Sequence, residues 1–161
     1  MKGSIIEKNQ VHYTYLKEVF YAIGNIQKNY NWLITDYECY PSEIDNEKIL
    51  SNKYCFISGD EITEMIEKED LQWIWGVFSA FDKSIPLNDI IKYDMPYSDG
   101  NSSIWTNPTS IQHPLAEIEI VAWDSSMTLI ISKDDEIINK FNKYFNYSID
   151  FEQYKIINKL K

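Results

Sequence analysis

Apolar residues recur along this chain in two periods, and the switches between them mark out its elements. Val11, Tyr15, Val19 and Ile23, with Leu16 and Phe20 beside them, fall at helical spacing, and Gly24-Asn25 supplies a stop. Asn31 to Tyr40 is rich in aromatic and β-branched residues and ends at Pro41, which predicts a strand. A short strand over Lys53 to Ile57 leads into Ser58-Gly59-Asp60-Glu61. There Ser58 caps a helix and Glu61, three residues on, completes a capping box. That helix runs to about Lys68 and buries Ile62, Met65 and Ile66.

Leu71 to Phe81 is apolar on both alternating faces, with Trp73, Trp75 and Val77 on one and Ile74, Phe78 and Ala80 on the other. A strand covered on both sides reads that way, so it belongs in the middle of a sheet. Leu115 to Trp123 and Met127 to Ser132 form a hairpin across Asp124-Ser125-Ser126. Asp134 to Phe145 is a helix with Ile137, Ile138, Phe141 and Phe145 on one stripe and three acids in its first turn, where the helix dipole favours them. Ser148 to Lys161 adds one more short element. The sum is a single α+β domain spanning residues 1–161, a mostly antiparallel sheet with two to three helices packed on it.

Charge changes this picture more than composition does. The 161 residues are 44% hydrophobic, ample for a core, and carry a net charge of −10 with Lys as the only cationic residue besides two His. That balance argues against a nucleic-acid partner, since phosphate binding needs a basic face and base readout leans on Arg. Ile, Asn, Lys and Tyr are abundant and Arg is absent, which is the codon usage of an AT-rich genome. Resolved along the chain, residues 34–136 hold 21 acids against 6 Lys, a net of −15, while the flanks carry +2 and +3. Asp36, Glu38, Glu43, Asp45 and Glu47 follow the first core strand. Asp60, Glu61, Glu64, Glu67, Glu69 and Asp70 decorate the helix after Ser58. Asp94 to Pro114 is a third acidic stretch, a long loop with Tyr93, Tyr97 and Trp105, whose aromatics either cover the sheet or stand exposed as anchors.

No constellation for catalysis emerges. Glu117 and Glu119 share one strand face, the spacing of an acid/base pair but far more commonly the solvated side of an amphipathic strand. His12 and His113 are isolated, and His113-Pro114 ends the long loop. No Gly pair makes a phosphate-cradling loop, and no ligand spacing implies a metal or another cofactor. Cys39 and Cys55, without a Cys-x-x-Cys pair, read as reduced, buried thiols. Met1 to Gln10 lacks the apolar run of an export signal. Leu71 to Phe81, the longest uncharged apolar stretch, falls far short of the ~20 residues that span a bilayer. A cytoplasmic, monomeric protein without a membrane partner is expected.

The order of elements resembles a known group. A helix, the strand Asn31-Trp32-Leu33-Ile34-Thr35-Asp36, a short strand into Ile57-Ser58-Gly59-Asp60-Glu61 and the late hairpin Ala116–Ser132 are similar in layout to small bacterial α+β immunity proteins. Those proteins belong to polymorphic-toxin and contact-dependent growth inhibition systems. The resemblance implies a cognate protein toxin bound without turnover. Charge and aromatic content select Tyr37, Glu38, Tyr40, Glu43 and Asp45, with Tyr97, Asp99 and Trp105 from the long loop, as the residues that meet a basic toxin, for example a nuclease. The alternative is a small-molecule-binding or regulatory domain, whose mark would be a deep pocket lined by Trp73, Trp75 and Trp123.

Overall fold

A computed structural model describes residues 1–7 and 14–159. Seven antiparallel strands form one sheet in the order β3-β2-β4-β5-β6-β1-β7. They are β1 (Lys2–Ile6), β2 (Tyr30–Glu38), β3 (Tyr54–Ser58), β4 (Trp75–Asp82), β5 (Ile118–Trp123), β6 (Met127–Ser132) and β7 (Ile149–Asp150). The helices are α1 (Leu16–Ala22), α2 (Ile44–Ile49), α3 (Gly59–Lys68), α4 (Leu87–Ile90), α5 (Asp135–Tyr144) and α6 (Phe151–Ile157). The fold is α+β. Among the described residues six helices replace the two or three expected, because α2, α4 and α6 are too short to leave a readable period. None of the helices is long and apolar enough to cross a membrane.

Local chemistry explains the elements that the pattern predicts. Ser58 Oγ accepts from Glu61 N at 3.2 Å while the Glu61 carboxylate accepts from Ser58 N at 2.7 Å, the reciprocal cap of α3. Asp134 caps α5 through Glu136 N at 2.9 Å. Asp124 and Ser125, both at positive φ, make the β5–β6 turn. Val11 and His12, at the start of the predicted first helix, lie outside the described residues; the helix that forms begins at Leu16. β1 was not anticipated. Lys2-Gly3-Ser4 has no strand preference of its own, and its conformation comes from pairing with β6 on one side and β7 on the other.

Alternate residues of each strand serve two cores. One face, carrying Trp32, Ile34, Phe78, Ile120 and Ile130, is covered by α1, α3, α5 and their apolar stripes. The other, carrying Leu33, Val77, Phe81, Val121 and Leu129, is covered by α4, α6 and the long connection between β4 and β5. β4 lies inside the sheet between β2 and β5, as its doubly apolar sequence requires. Its predicted start at Leu71 is four residues early. The strand begins at Trp75, so Trp73 escapes the alternation and joins Phe78 on the helical face. Gly59 is obligatory, since a Cβ there would stand 2.1 Å from Gln27 O.

Candidate functional site

The acidic stretch after β2 begins with an irregularity. The β2–β4 register shifts between Thr35 and Glu38, and Asp36 within that shift has φ 47°. The bulge turns the Asp36 carboxylate toward the long loop. There its Oδ2 accepts from Ser98 N at 2.6 Å, Ser98 Oγ at 3.0 Å and Asp99 N at 2.8 Å. Thr35 Oγ1 donates to Pro96 O at 2.7 Å beside it. The loop expected to be long and irregular is therefore pinned to the bulge. It contains one 3-10 turn, Ser102–Trp105.

This pinning assembles a cleft of about 440 Å³ at the end of the sheet, lined by Asp36, Tyr37, Glu38, Asn52, Lys53, Trp75 and Asp99. Its lining holds three acidic residues and one Lys, beside the half-buried Trp75. Three of the residues selected from the sequence, Tyr37, Glu38 and Asp99, meet here. Tyr37 is half-buried, set edge-on to Trp73, and its single hydroxyl proton has Leu50 O and Asn52 O within hydrogen-bond reach. Burial pushes its pKa up to about 12. Glu38 is exposed and accepts from the Tyr40 hydroxyl at 2.9 Å; Tyr40 is 76% exposed.

The other selected residues do not line this cleft. Glu43 precedes α2 and Asp45 lies in its first turn, both exposed, with Ile44 between them 65% exposed. Tyr97 is 50% exposed and lines a separate hollow in the long loop. Trp105 is different. It packs edge-on to Trp123 at 4.9 Å and against Phe151 and Tyr154, so it covers the sheet. Trp123 in turn meets Trp75 at 5.0 Å. Trp73 lies on the opposite face from Trp75 and Trp123, so no pocket is shared by those three.

Sequence reasoning missed two acids that organise the region. Glu69, just beyond α3, accepts from Ser42 N at 2.8 Å, Ser42 Oγ at 2.6 Å, Glu43 N at 3.2 Å and Asn46 Nδ2 at 3.3 Å. It serves as the anion at the N-terminus of α2, supplied from a distant element. Glu119 was expected on a solvated face and is fully buried. The alternation was read correctly, but the outer face of β5 is a second core. Gln112 donates to Glu119 from its backbone N at 3.0 Å and from Nε2 at 3.3 Å. Burial pushes the Glu119 pKa up to about 7 against the pull of these bonds. Gln112 Oε1 accepts from Asn101 Nδ2 at 2.9 Å and Tyr97 N at 3.0 Å, which carries the chain of bonds into the loop. Its neighbour Glu117 pairs instead with Lys133 at 3.1 Å near the surface.

The remaining chemistry-bearing groups are occupied structurally. Leu115 N donates to His113 Nδ1 at 3.2 Å, which leaves the ring proton on Nε2 for Ile90 O at 3.0 Å. Burial pushes the pKa of this imidazole down, so it sits neutral between Phe81 and Tyr93. Cys55 is buried and Cys39 partly so; burial pushes both thiols up to about 12. Among the described residues no group of three or more His, Cys, Asp or Glu is placed to hold a metal ion. Comparison with models of known families, with curated proteins and with solved structures found no match.

Proposed function

We propose that this protein is an inhibitor of the immunity type, binding a basic protein toxin through the acidic end of its sheet. The observation that carries this reading is the cleft in which Asp36, Glu38 and Asp99 gather beside Trp75, with Tyr40 exposed and bonded to Glu38 and with Ile44 and Tyr97 exposed elsewhere on the surface. Exposed aromatic and aliphatic anchors ringed by like charge suit a partner of opposite charge, whose approach the field accelerates. A nuclease with a basic substrate groove is the toxin class this field suits best, and the cytoplasm is where such an inhibitor would act.

The test is genetic and then biochemical. Neighbouring open reading frames are expressed singly and together with this protein. One should arrest growth alone, be tolerated together, and co-purify with it. Glu38→Lys, Glu43→Lys and Asp45→Lys combined should abolish protection and capture while leaving the circular dichroism spectrum unchanged, because all three side chains are exposed. Protection undiminished in the triple variant overturns the assignment of the surface.

A further inference from the structure

A second hollow, of about 350 Å³, lies between α2 and α3. Its apolar part is Ile49 and Met65, and Asp45, Glu61 and Glu64 supply carboxylates, of which Glu61 is spent on the α3 cap. Asn46 also lines it and is 1% exposed. Its amide nitrogen is committed to Met65 O and Glu69 Oε2, each at 3.3 Å, which fixes the orientation of the amide. Asn46 Oδ1 is left buried with no donor among the described residues. An unpaired buried acceptor costs stability comparable to a lost hydrogen bond, so a donor reaching it gains more than one meeting solvated groups.

The arrangement already accepts a primary ammonium. Lys68 Nζ stands 3.0 Å from Glu64 and 3.7 Å from Asp45, with 43% of its side chain exposed, so it bridges the two acids at a solvent-facing rim. Lys48 is the other cation on this rim. With Lys68 withdrawn, the lining holds three acceptors, the Asp45 and Glu64 carboxylates and the unpaired Asn46 Oδ1, beside the apolar Ile49 and Met65.

We propose that this groove receives a lysine side chain of the basic protein partner, its methylenes lying on Ile49 and Met65 and its ammonium displacing Lys68. A compact ammonium with three rotatable donors matches three separated acceptors, whereas a planar guanidinium matches a single carboxylate edge-on. A flexible aliphatic stem covers apolar surface while its head stays with the acids. The identity of the partner rests on the inhibitor reading; the ammonium site does not.

The free protein, titrated with N-acetyl-lysine amide and followed by NMR, tests this without a toxin. The Asn46 side-chain amide and the Met65 methyl signals should shift, and more strongly than with N-acetyl-arginine amide. Lys68→Met should tighten binding about threefold by removing the competitor, and Glu64→Gln should weaken it by a similar factor. Lys92→Met removes the same charge from a distant surface pair with Asp89 and should change nothing. Equal effects of Lys68→Met and Lys92→Met would reduce the binding to a field effect and overturn the site. Shifts confined to other residues would do the same, as would a response to cadaverine with none to the lysine derivative. A silent titration alongside intact protection in the growth assay would overturn only the groove. Binding of the probe without any protection would overturn the inhibitor reading and, with it, the groove's assigned partner.

Discussion

On one face of the sheet, α1, α3 and α5 lay continuous apolar stripes over Trp32, Phe78 and Ile130. On the other, the connection from β4 to β5 does the same work with little regular structure, helped by α6. The helical cover holds by burial, and its backbone polar groups are satisfied within each helix. The irregular cover must satisfy its polar groups by long-range bonds, and it does so with buried or half-buried side chains. Asp36 holds Ser98 and Asp99, Glu119 holds Gln112, and Lys155, fully buried, donates to Thr106 O at 3.0 Å and Thr109 Oγ1 at 2.9 Å. One cover depends on volume and the other on a small number of charges. The acidic cleft lies where the second cover is pinned to the sheet, so its shape depends on those charges.

The largest effect should come from the helical side. Phe141 is fully buried on the α5 stripe, and Phe141→Ala should cost about 3–5 kcal/mol in chemical denaturation, lowering global stability at every pH alike. Loss confined to local opening would break the comparison.

Next comes the pH dependence of the loop side. Glu119 in the folded state titrates near 7, above its ordinary carboxylate range, so the folded protein binds its proton more tightly than the unfolded chain. Its contribution is fully present below the unfolded carboxylate pKa of about 4.3 and is lost as pH rises through about 7. Glu119→Gln should therefore flatten a decline of about 4 kcal/mol between those limits, leaving the variant the more stable protein at pH 8. Denaturation curves at pH 5 and pH 8 measure it, and an unchanged decline in the variant would remove Glu119 as its cause. Glu61, held below its ordinary range by hydrogen bonds from Ser58, acts with the opposite sign, contributing stability that is lost as pH falls.

The smallest effect sharpens the comparison most. Asp36→Ala removes three hydrogen bonds and places a Cβ-bearing residue without a polar side chain at φ 47°. It should cost about 2 kcal/mol, felt as faster hydrogen exchange at Ser98, Asp99 and Asn101, with amides of α3 and α5 unchanged. Exchange accelerated equally on both faces would mean that the two covers open together.

The ten-residue helices α3 and α5, the capping box at Ser58 and Glu61, the β5–β6 hairpin and the interior position of β4 were all legible because each is a local pattern. β1, α2 and α4 were not, and the element over Ser148 to Lys161 was legible without its type, because short elements borrow their conformation from neighbours. Of the selected surface residues, Tyr37, Glu38 and Asp99 were brought into one cleft although 61 positions separate Glu38 from Asp99. Trp105 packs half-buried against the second core instead. Exposed and buried aromatics in an irregular segment have the same composition, and only the packing of Trp123, Phe151 and Tyr154 around Trp105 separates them.

The sequence by itself determined the α+β class, the principal caps and the concentration of negative charge in residues 34–136, since periodicity, capping and charge are properties of neighbours along the chain. Only the tertiary structure decided which acids are surface and which are structure. Glu119 became a buried anchor, Glu69 the cap of a distant helix, and Asp36 the peg that holds the loop. A carboxylate is solvated or committed according to what lies across from it, and the residues across from these three stand 7 to 63 positions away.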